Sequence, residues 1–252
     1  MYIHLPEREN FMADYETMGS VGAGRRSAAT IDAGLKAHMS KIYGLMSIAM
    51  LITGAVAFGV GTNDALLAAI FGTPLKYVAM FAPLVVVFAF GAMINRLSAG
   101  AAQLVFWGFA ALMGVSISFI FAVYTGISIA QTFLVTAIAF AGLSLYGYTT
   151  KKDISGWGSF LIMGVIGLVV ASIVNIFLQS SAVQFAISAL GLLIFAGLTA
   201  YDTQRLKNEY IQMASHGASE WLAKSAIMGA LSLYLNFLNM FMFLLQFMGG
   251  RE

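Results

Sequence analysis

The sequence predicts an all-α membrane protein with seven transmembrane helices, the seventh of which is central. Hydrophobic residues make up 60% of the 252-residue chain and charged residues only 10%, whereas a soluble domain carries about 25% charged residues. The last apolar stretch, Ser225–Met248, has 24 residues and no formal charge. A helix rises about 1.5 Å per residue, so this stretch is long enough to cross a hydrocarbon core of about 30 Å.

One face of this last stretch carries small and polar residues. Positions that alternate by four and three residues lie on the same side of a helix, and here they are Ser225, Gly229, Ser232, Asn236, Asn239, Phe243 and Gln246. The other faces consist of Leu, Met, Phe and Tyr. A membrane helix gains nothing by exposing amides to lipid, so the stripe must face protein or water. This pattern predicts a buried, central helix.

The beginning of the chain is predicted to be a tail. Residues 1–30 are polar, with no apolar run that could form a signal-peptide core, and we expect them to be a mobile cytoplasmic tail. Residues 31–252 are predicted to form a single seven-helix membrane domain. Ahead of the first span, apolar residues recur at helical spacing beside Lys36 and Lys41. They indicate either a short interfacial helix or a helical extension of the first span.

Seven apolar runs define the predicted spans. Most connections between them are short, so consecutive helices should be antiparallel neighbours. Small residues four apart in the third span, Ala110, Gly114 and Ser118, predict close helix contact. Only the segment between Asp202 and Lys224 is expected to be a long polar connection. The spans are Ile42–Gly61, Leu75–Ile94, Ala101–Tyr124, Ile127–Tyr148, Phe160–Leu178, Ala182–Tyr201 and Ser225–Met248.

The basic residues predict the orientation of these spans. All of the 13 Lys and Arg residues except Lys76 and Arg251 fall on the side of the N-terminal tail. The positive-inside rule therefore places the N-terminus in the cytoplasm and the C-terminus outside. We expect a multi-pass protein of a plasma membrane, with the lipid bilayer as its surroundings. A net charge of +2 spread over the chain does not indicate nucleic-acid binding.

The motifs of several enzyme classes are missing. The chain has no cysteine, which excludes thiol catalysis and disulfides. Neither the HExxH motif of metalloproteases nor a GxSG motif occurs, and the three histidines lie outside the predicted spans. The last span contains no lysine for a retinal Schiff base. We therefore expect no enzymatic activity and no cofactor.

A few polar residues remain as candidates for function. Asp202 directly follows an apolar run, and ionisable groups at membrane depth usually mark a pathway or a partner; a solvated acid at a helix end is the alternative. Asn236 and Asn239 lie within the last span, where hydrogen bonds to neighbouring helices would also explain them. Arg96 closes the second span and is either a topology determinant or a partner for Asp202. Asp153 is interpreted as a loop or helix-start residue.

Two C-terminal motifs resemble the signature of the Bax inhibitor family (transmembrane Bax inhibitor motif proteins). They are Ala200–Gln204 and Leu231–Asn239, while Lys151–Ser155 and Ile31–Leu35 resemble the bacterial members. The resemblance covers nearly all of the chain from Ile31 onward. It implies a bacterial inner-membrane protein whose last helix is enclosed by the other six. It also implies a pH-sensitive calcium leak.

The resemblance also assigns residues. In the family, an aspartate at the position of Asp202 shares a proton with an aspartate on the seventh helix. A basic residue near the end of the second helix pairs with the aspartate at the position of Asp202 in the closed state, and Arg96 is the candidate for that basic residue here. This chain has Asn236 where the family usually has Asp. Two close carboxylates cannot both ionise cheaply, but an Asp–Asn pair lacks that repulsion, and the amide can donate to the carboxylate. The departure puts the pH switch in question.

Three functions follow as hypotheses. The first is an ion leak in which Asp202 is a weak calcium contact, because calcium prefers about six to eight oxygen ligands and one carboxylate with amides and water offers little. The alternative is a non-conducting regulator that binds other membrane proteins, such as a membrane protease, through the tail. A proton-coupled transporter would normally require several intramembrane carboxylates, and only Asp202 is available.

Overall fold

Every helix needed for the predicted architecture is present. The structure is a computed structural model that describes the backbone of residues 8–213 and 219–250 and the side chains of residues 30–213 and 220–250. Within those ranges it contains helices and no β-strand. The helices are α1 (Arg8–Gly61), α2 (Asp64–Phe71), α3 (Leu75–Met93), α4 (Ala99–Ile117, followed by a 3₁₀ turn at Ser118–Ala122), α5 (Gly126–Thr149), α6 (Trp157–Leu178), α7 (Ser181–Met213) and α8 (Ser219–Met248).

Seven of these helices are long and apolar enough to cross a membrane, and α2 is not among them. Polar side chains cap several of the helix starts. Asn63 accepts a hydrogen bond from the Leu66 amide at the start of α2, and Ser98 does the same for Ala101 at the start of α4. Such caps satisfy amides that have no partner within the helix. The predicted all-α membrane fold with seven spans is confirmed.

The last helix, α8, lies at the centre. In its most apolar window 67% of the residues are buried, whereas the other six spans have 17–39%. Helices α1, α4, α5 and α7 pack directly against α8, while α3 packs mainly on α4 and α6 on α7. The prediction of a central last helix is confirmed. Its enclosure is made mainly by four helices rather than by all six.

Glycines and other small residues bring the helices close together. Gly114 of α4 faces the Thr53 carbonyl and the Val56 side chain of α1, so even a methyl group there would collide with both. Ala110, one turn earlier, accepts a 2.8 Å hydrogen bond from Thr53 Oγ1 through its carbonyl. This confirms the predicted close contact in the third span. On the other side of α8, Gly147 of α5 meets the backbone of Ala200 in α7 in the same way.

The predicted long polar connection after Asp202 is wrong. Helix α7 continues through Asp202 to Met213, and α8 begins at Ser219, so Asp202 lies inside a helix and not at its end. The end of an apolar run marks where the lipid core ends, not where the helix hydrogen bonds end. Polar residues spaced four apart, such as Arg205 and Glu209, continue the helix into the aqueous phase.

At the start of the chain, α1 is one continuous helix from Arg8 to Gly61. This favours a helical extension of the first span over a separate interfacial helix. Residues 1–7 lie outside the described part of the chain. The mobility predicted for residues 1–30 stays a prediction. The short helix α2, between the first two spans, was not predicted, because its eight residues are too few for a span.

Candidate ion site between helices α7 and α8

The polar stripe of α8 faces α7. Gly229 packs against Leu206, Asn236 hydrogen-bonds Asp202, and Gln246 hydrogen-bonds Ser188 and Gln184, all of which belong to α7. The stripe therefore faces protein, as its composition predicts. We call this contact the α7–α8 seam. Its polar side chains are concentrated at two ends, which differ in charge.

Asp202 is held from both sides at one end of the seam. Its side chain is buried, with the residue only 6% exposed. The Asn236 amide Nδ2 donates a 2.8 Å hydrogen bond to Oδ2, and the Arg205 guanidinium Nη2 lies 3.0 Å from Oδ1. Each carboxylate oxygen thus has its own donor. The predicted proximity of Asp202 and Asn236 is present in the structure.

Arg205 belongs to this candidate site and was not predicted from the sequence. It follows Asp202 by three residues, so both side chains lie on the same face of α7. Its guanidinium also lies over the Tyr201 ring at 5.8 Å, and its Nε is 3.5 Å from a Glu209 carboxylate oxygen without the geometry of a hydrogen bond. The spacing was visible in the sequence, but it carried no signal while the helix was predicted to end at Tyr201. We call Asp202, Asn236, Arg205 and Glu209 the acidic end.

A cavity of about 330 Å³ adjoins the acidic end. Its lining includes Asp153, Tyr201, Arg205 and Glu209 but not Asp202. Arg205 is partly exposed, with 39% of its side chain accessible, and it contacts both the cavity and Asp202. Access from the cavity to the buried carboxylate therefore leads past the Arg205 guanidinium.

The other predicted residues do not join this site. Arg96 is exposed just beyond α3, and among the described residues the ion-pair partner of Asp202 is Arg205 and not Arg96. Asn239 donates to the Leu235 carbonyl of its own helix at 2.8 Å, and among the described residues it makes no hydrogen bond to a neighbouring helix. Asp153 accepts hydrogen bonds from the Ser155 hydroxyl and amide, which hold the pKa of this exposed carboxylate below its ordinary value.

Residues next to Asp202 tie α7 to its neighbours. Gln204 accepts a 2.9 Å hydrogen bond from the Ile154 amide and donates a 2.8 Å one to the Lys152 carbonyl, so it fixes the α5–α6 loop. Thr203 lies 2.9 Å from the Ser144 hydroxyl of α5, which in turn contacts the Tyr43 hydroxyl of α1. These bonds explain why polar residues flank Asp202: they position α7.

The opposite end of the seam is an amide cluster without charge. The Gln246 side-chain oxygen accepts from Gln184 Nε2 at 3.0 Å and from the Ser188 hydroxyl. Gln184 in turn accepts a 3.2 Å hydrogen bond from Asn175 of α6. We call these four residues the amide end. A cavity of about 500 Å³ borders it, lined by residues that include Tyr124, Gln184, Ser188 and Gln246.

Apolar side chains close the seam between its two ends. The Phe243 ring fills the notch left by Gly191 and lies 6.0 Å from the Phe195 ring. Further toward Asp202, the Thr199 hydroxyl contacts the Met240 sulfur at 3.4 Å. The ends are roughly 15–20 Å apart along the helices, from ten residues of α8 and fourteen of α7. The structure therefore has a cavity with polar side chains at each end and an apolar contact between them.

The chemistry available at the acidic end is that of one carboxylate. Among the described residues, Asp202 is the only buried Asp or Glu, and no group of three His, Asp or Glu side chains forms a metal-binding cluster. Calcium and other hard cations bind carboxylate and amide oxygens. Asp202, the Asn236 amide oxygen and water can offer a weak cation contact if Arg205 moves aside.

Comparison with known proteins places the chain among bacterial membrane proteins. A family model described as "Inhibitor of apoptosis-promoting Bax1" matches residues 35–252. A protein of Caulobacter vibrioides is 48% identical over 236 residues, which cover 90% of this chain and 94% of that protein. The inner membrane protein YbhL of Escherichia coli K12 is 44% identical over 221 residues, covering 87% and 94%. RP147 of Rickettsia prowazekii is 41% identical over 223 residues, covering 88% and 93%.

Proposed function

The chain belongs to the Bax inhibitor family, and from that premise we propose that it is a calcium leak channel of the bacterial inner membrane. The name of the YbhL relative supports the location, and the seven apolar helices agree with it. The observation that carries the proposal is the buried Asp202 carboxylate in a seam with a cavity at each end. The proposed activity is transport, not catalysis.

In this proposal calcium passes along the α7–α8 seam and pauses at Asp202. A site with one carboxylate, one amide oxygen and water binds calcium weakly, and conduction requires binding that is weak enough for release. The Arg205 guanidinium, 3.0 Å from the carboxylate, competes with the ion for Asp202. Together with the Phe243 constriction, this pairing corresponds to a closed state.

The leak is proposed to respond only weakly to pH. The family's proton-sharing pair needs two carboxylates, and here the partner of Asp202 is the Asn236 amide. A carboxylate with no second carboxylate beside it has no proton to share, and an ordinary aspartate has a reference pKa of about 3.9. Arg96 remains the proposed latch only for a state in which Arg205 has left Asp202.

The proposed orientation has the N-terminus in the cytoplasm. Its support is the asymmetric distribution of Lys and Arg over the connections. In this orientation the acidic end faces the cytoplasm and the amide end faces the outside. The excess of basic residues around the acidic end would then lie at the anionic inner leaflet.

Calcium flux into proteoliposomes of the purified protein tests the proposal. We expect calcium flux that Asp202→Asn lowers more than the matched change Asp153→Asn, because Asp153 is exposed on a loop at the cavity and only Asp202 is buried in the seam. Equal effects of the two changes would mean that Asp202 is not on the pathway. A folded preparation without flux would contradict the leak and favour the alternative below.

The alternative is a non-conducting regulator that binds another membrane protein, such as a membrane protease. Its specific support is that α1 begins at Arg8, whereas the family match begins at residue 35, so a helical arm precedes the shared domain. Deleting residues 1–30 should then abolish co-purification of the partner and leave the membrane domain folded. A leak channel should instead keep its flux after this deletion, since its packed unit begins near the first span.

A further inference from the structure

A groove separates α1 from α5 on the outer surface of the bundle. Its volume is about 1110 Å³, and α1 and α5 are not among the closely packed helix pairs. The two helices meet at the Tyr43–Ser144 hydroxyl contact, and Phe237 of α8 lines the groove between them. Phe237 packs there against Phe133 and Phe140 at 5.4 and 5.5 Å. The groove belongs to neither end of the α7–α8 seam.

The polarity of the lining changes along the groove. One end carries Lys36, Ser40 and Tyr148, and the other end is formed by apolar side chains and glycine, including Leu51 and Phe133. None of the described residues that line it is acidic. Lys207 adds a second cation near the polar end, where its Nζ donates a 2.8 Å hydrogen bond to the Tyr148 carbonyl. The occupant that fits this lining has a negative head and a long apolar tail.

The length of the groove matches one leaflet of a bilayer. The α5 wall runs from Phe133 to Tyr148, a rise of roughly 22 Å, and half a bilayer including its headgroup layer is about 20–22 Å thick. The α1 wall, from Lys36 to Ala55, rises roughly 28 Å. The groove is therefore long enough for an acyl chain together with its headgroup.

We propose that this groove binds an anionic phospholipid. Its phosphate lies at Lys36 and Ser40, and an acyl chain follows α1 and α5 to Leu51 and Phe133. Lipid binding at this groove does not require that the protein conducts calcium. A lipid held there contacts Phe237, which is the neighbour of Asn236 in α8, and Ser144, which hydrogen-bonds Thr203 beside Asp202. The bound lipid therefore contacts two side chains, Phe237 and Ser144, that lie beside the acidic end without belonging to it.

Photolabelling of the full-length protein in phosphatidylcholine vesicles tests the site. The probes are phosphatidylglycerol and phosphatidylcholine that carry a diazirine in one acyl chain, and the labelled residues are mapped by peptide mass spectrometry. We expect phosphatidylglycerol to label the groove lining about fivefold more than phosphatidylcholine does, the preference expected of one lysine near an anionic headgroup. Lys36→Gln should remove that preference. Lys41→Gln, which changes a lysine of the same helix outside the groove, should retain it.

A second pair of variants tests whether the tail lies in the groove. Gly54 lines the groove and Gly44 does not, and both have open space where a side chain would begin. We expect Gly54→Leu to reduce labelling of the groove by both probes about tenfold, because it displaces buried methylene groups, and Gly44→Leu to leave it unchanged. Melting temperatures of the purified variants show that both fold.

Three outcomes would overturn the proposal. The first is equal labelling of the groove by the two probes, and the second is equal labelling in Gly54→Leu and Gly44→Leu. The third is a cross-link from the groove to a second polypeptide, which would mean that protein covers it. Labelling spread evenly over all lipid-facing helices counts with the first, since it shows no bound lipid at this groove.

Discussion

The two ends of the α7–α8 seam are built from similar side chains but hold different charges. Both place an amide of α8 against polar residues of α7. At the amide end, Gln246 bonds to neutral partners, Gln184 and Ser188. At the acidic end, Asn236 bonds to the Asp202 carboxylate, which Arg205 also contacts.

The comparison separates two uses of polar residues inside a membrane protein. A neutral network satisfies its own donors and acceptors, and each such bond typically contributes only about 0.6–2 kcal/mol to helix association. A carboxylate among such residues is expensive to bury and can attract a cation. The amide end therefore serves packing, and the acidic end is where conduction should be decided. Four substitutions test this division.

The largest effect should come from Asp202→Asn. A unit charge about 4 Å from a cation contributes about 4 kcal/mol at an effective dielectric constant of about 20, so flux through the vesicle membrane should fall roughly tenfold or more. The asparagine can still accept from Asn236, so the fold should persist. Unchanged flux in Asp202→Asn, with the protein at its normal melting temperature, would remove the difference between the two ends.

Arg205→Gln should change flux in the opposite direction. The substitution frees Asp202 from its competing cation, and we expect calcium flux to increase about three- to tenfold. The increase is limited because Arg205 is partly exposed and the solvent screens its charge. Calcium uptake at low and high salt measures it. Lys207→Gln is the matched control, since Lys207 also carries a positive charge on α7 but bonds to the Tyr148 carbonyl. A decrease in flux would assign Arg205 to the pathway itself.

Asn236→Asp should make the leak depend on pH. Two carboxylates in hydrogen-bond contact cannot both ionise cheaply, so the pair should hold one proton near neutrality. As the pH rises from about 6 to 8, that proton leaves, the negative charge of the pair doubles and calcium flux should increase several-fold. The unmodified protein should show a flat pH profile over this range, because a lone aspartate stays charged. Asp202→Asn in the same background should remove the dependence. A flat profile in the folded variant would mean that Asn236 only joins the helices.

The smallest effect should come from Gln246→Leu at the amide end. It removes two hydrogen bonds to α7, and we expect a loss of about 1–2 kcal/mol in stability with flux and pH profile unchanged. Thermal unfolding in detergent measures it, with Gln131→Leu as control because Gln131 is exposed on α5. A change in calcium flux larger than that of Arg205→Gln would show that the outer end also controls conduction.

Most of the fold was predictable because hydrophobicity decides which segments lie in lipid. Six of the seven span starts agree with the structure to within about six residues, and the first span begins earlier because α1 is continuous. The polar stripe on α8 indicated a central helix before any contact was known. The end of α7 was not predictable in this way. Loss of apolar character at Tyr201 marks the membrane boundary, but helix hydrogen bonds do not depend on lipid.

The site was predictable only in part. Asp202 and Asn236 were singled out by their places in the apolar runs, but their pairing came from the family resemblance, since no periodicity relates two helices 34 residues apart in the chain. Arg205 was missed because it was assigned to a connection. Arg96 was favoured as the partner of Asp202 because it is the cation at the end of a span. In the structure α3 packs on α4 and not directly on α7. Contacts between distant helices are set by shape, which one sequence does not display.

The backbone contact between Gly147 and Ala200 has a consequence for the time scale of opening. Because no side chain separates α5 from α7 there, the two helices resist sliding past each other. Rotation of the Phe243 side chain out of the space beside Gly191 is therefore the easier way to open the seam. Helix displacements take microseconds to milliseconds, whereas side-chain rotations are usually far faster. Electrical recordings should therefore show brief, unresolved flicker and a smooth mean current, not long steps between discrete levels.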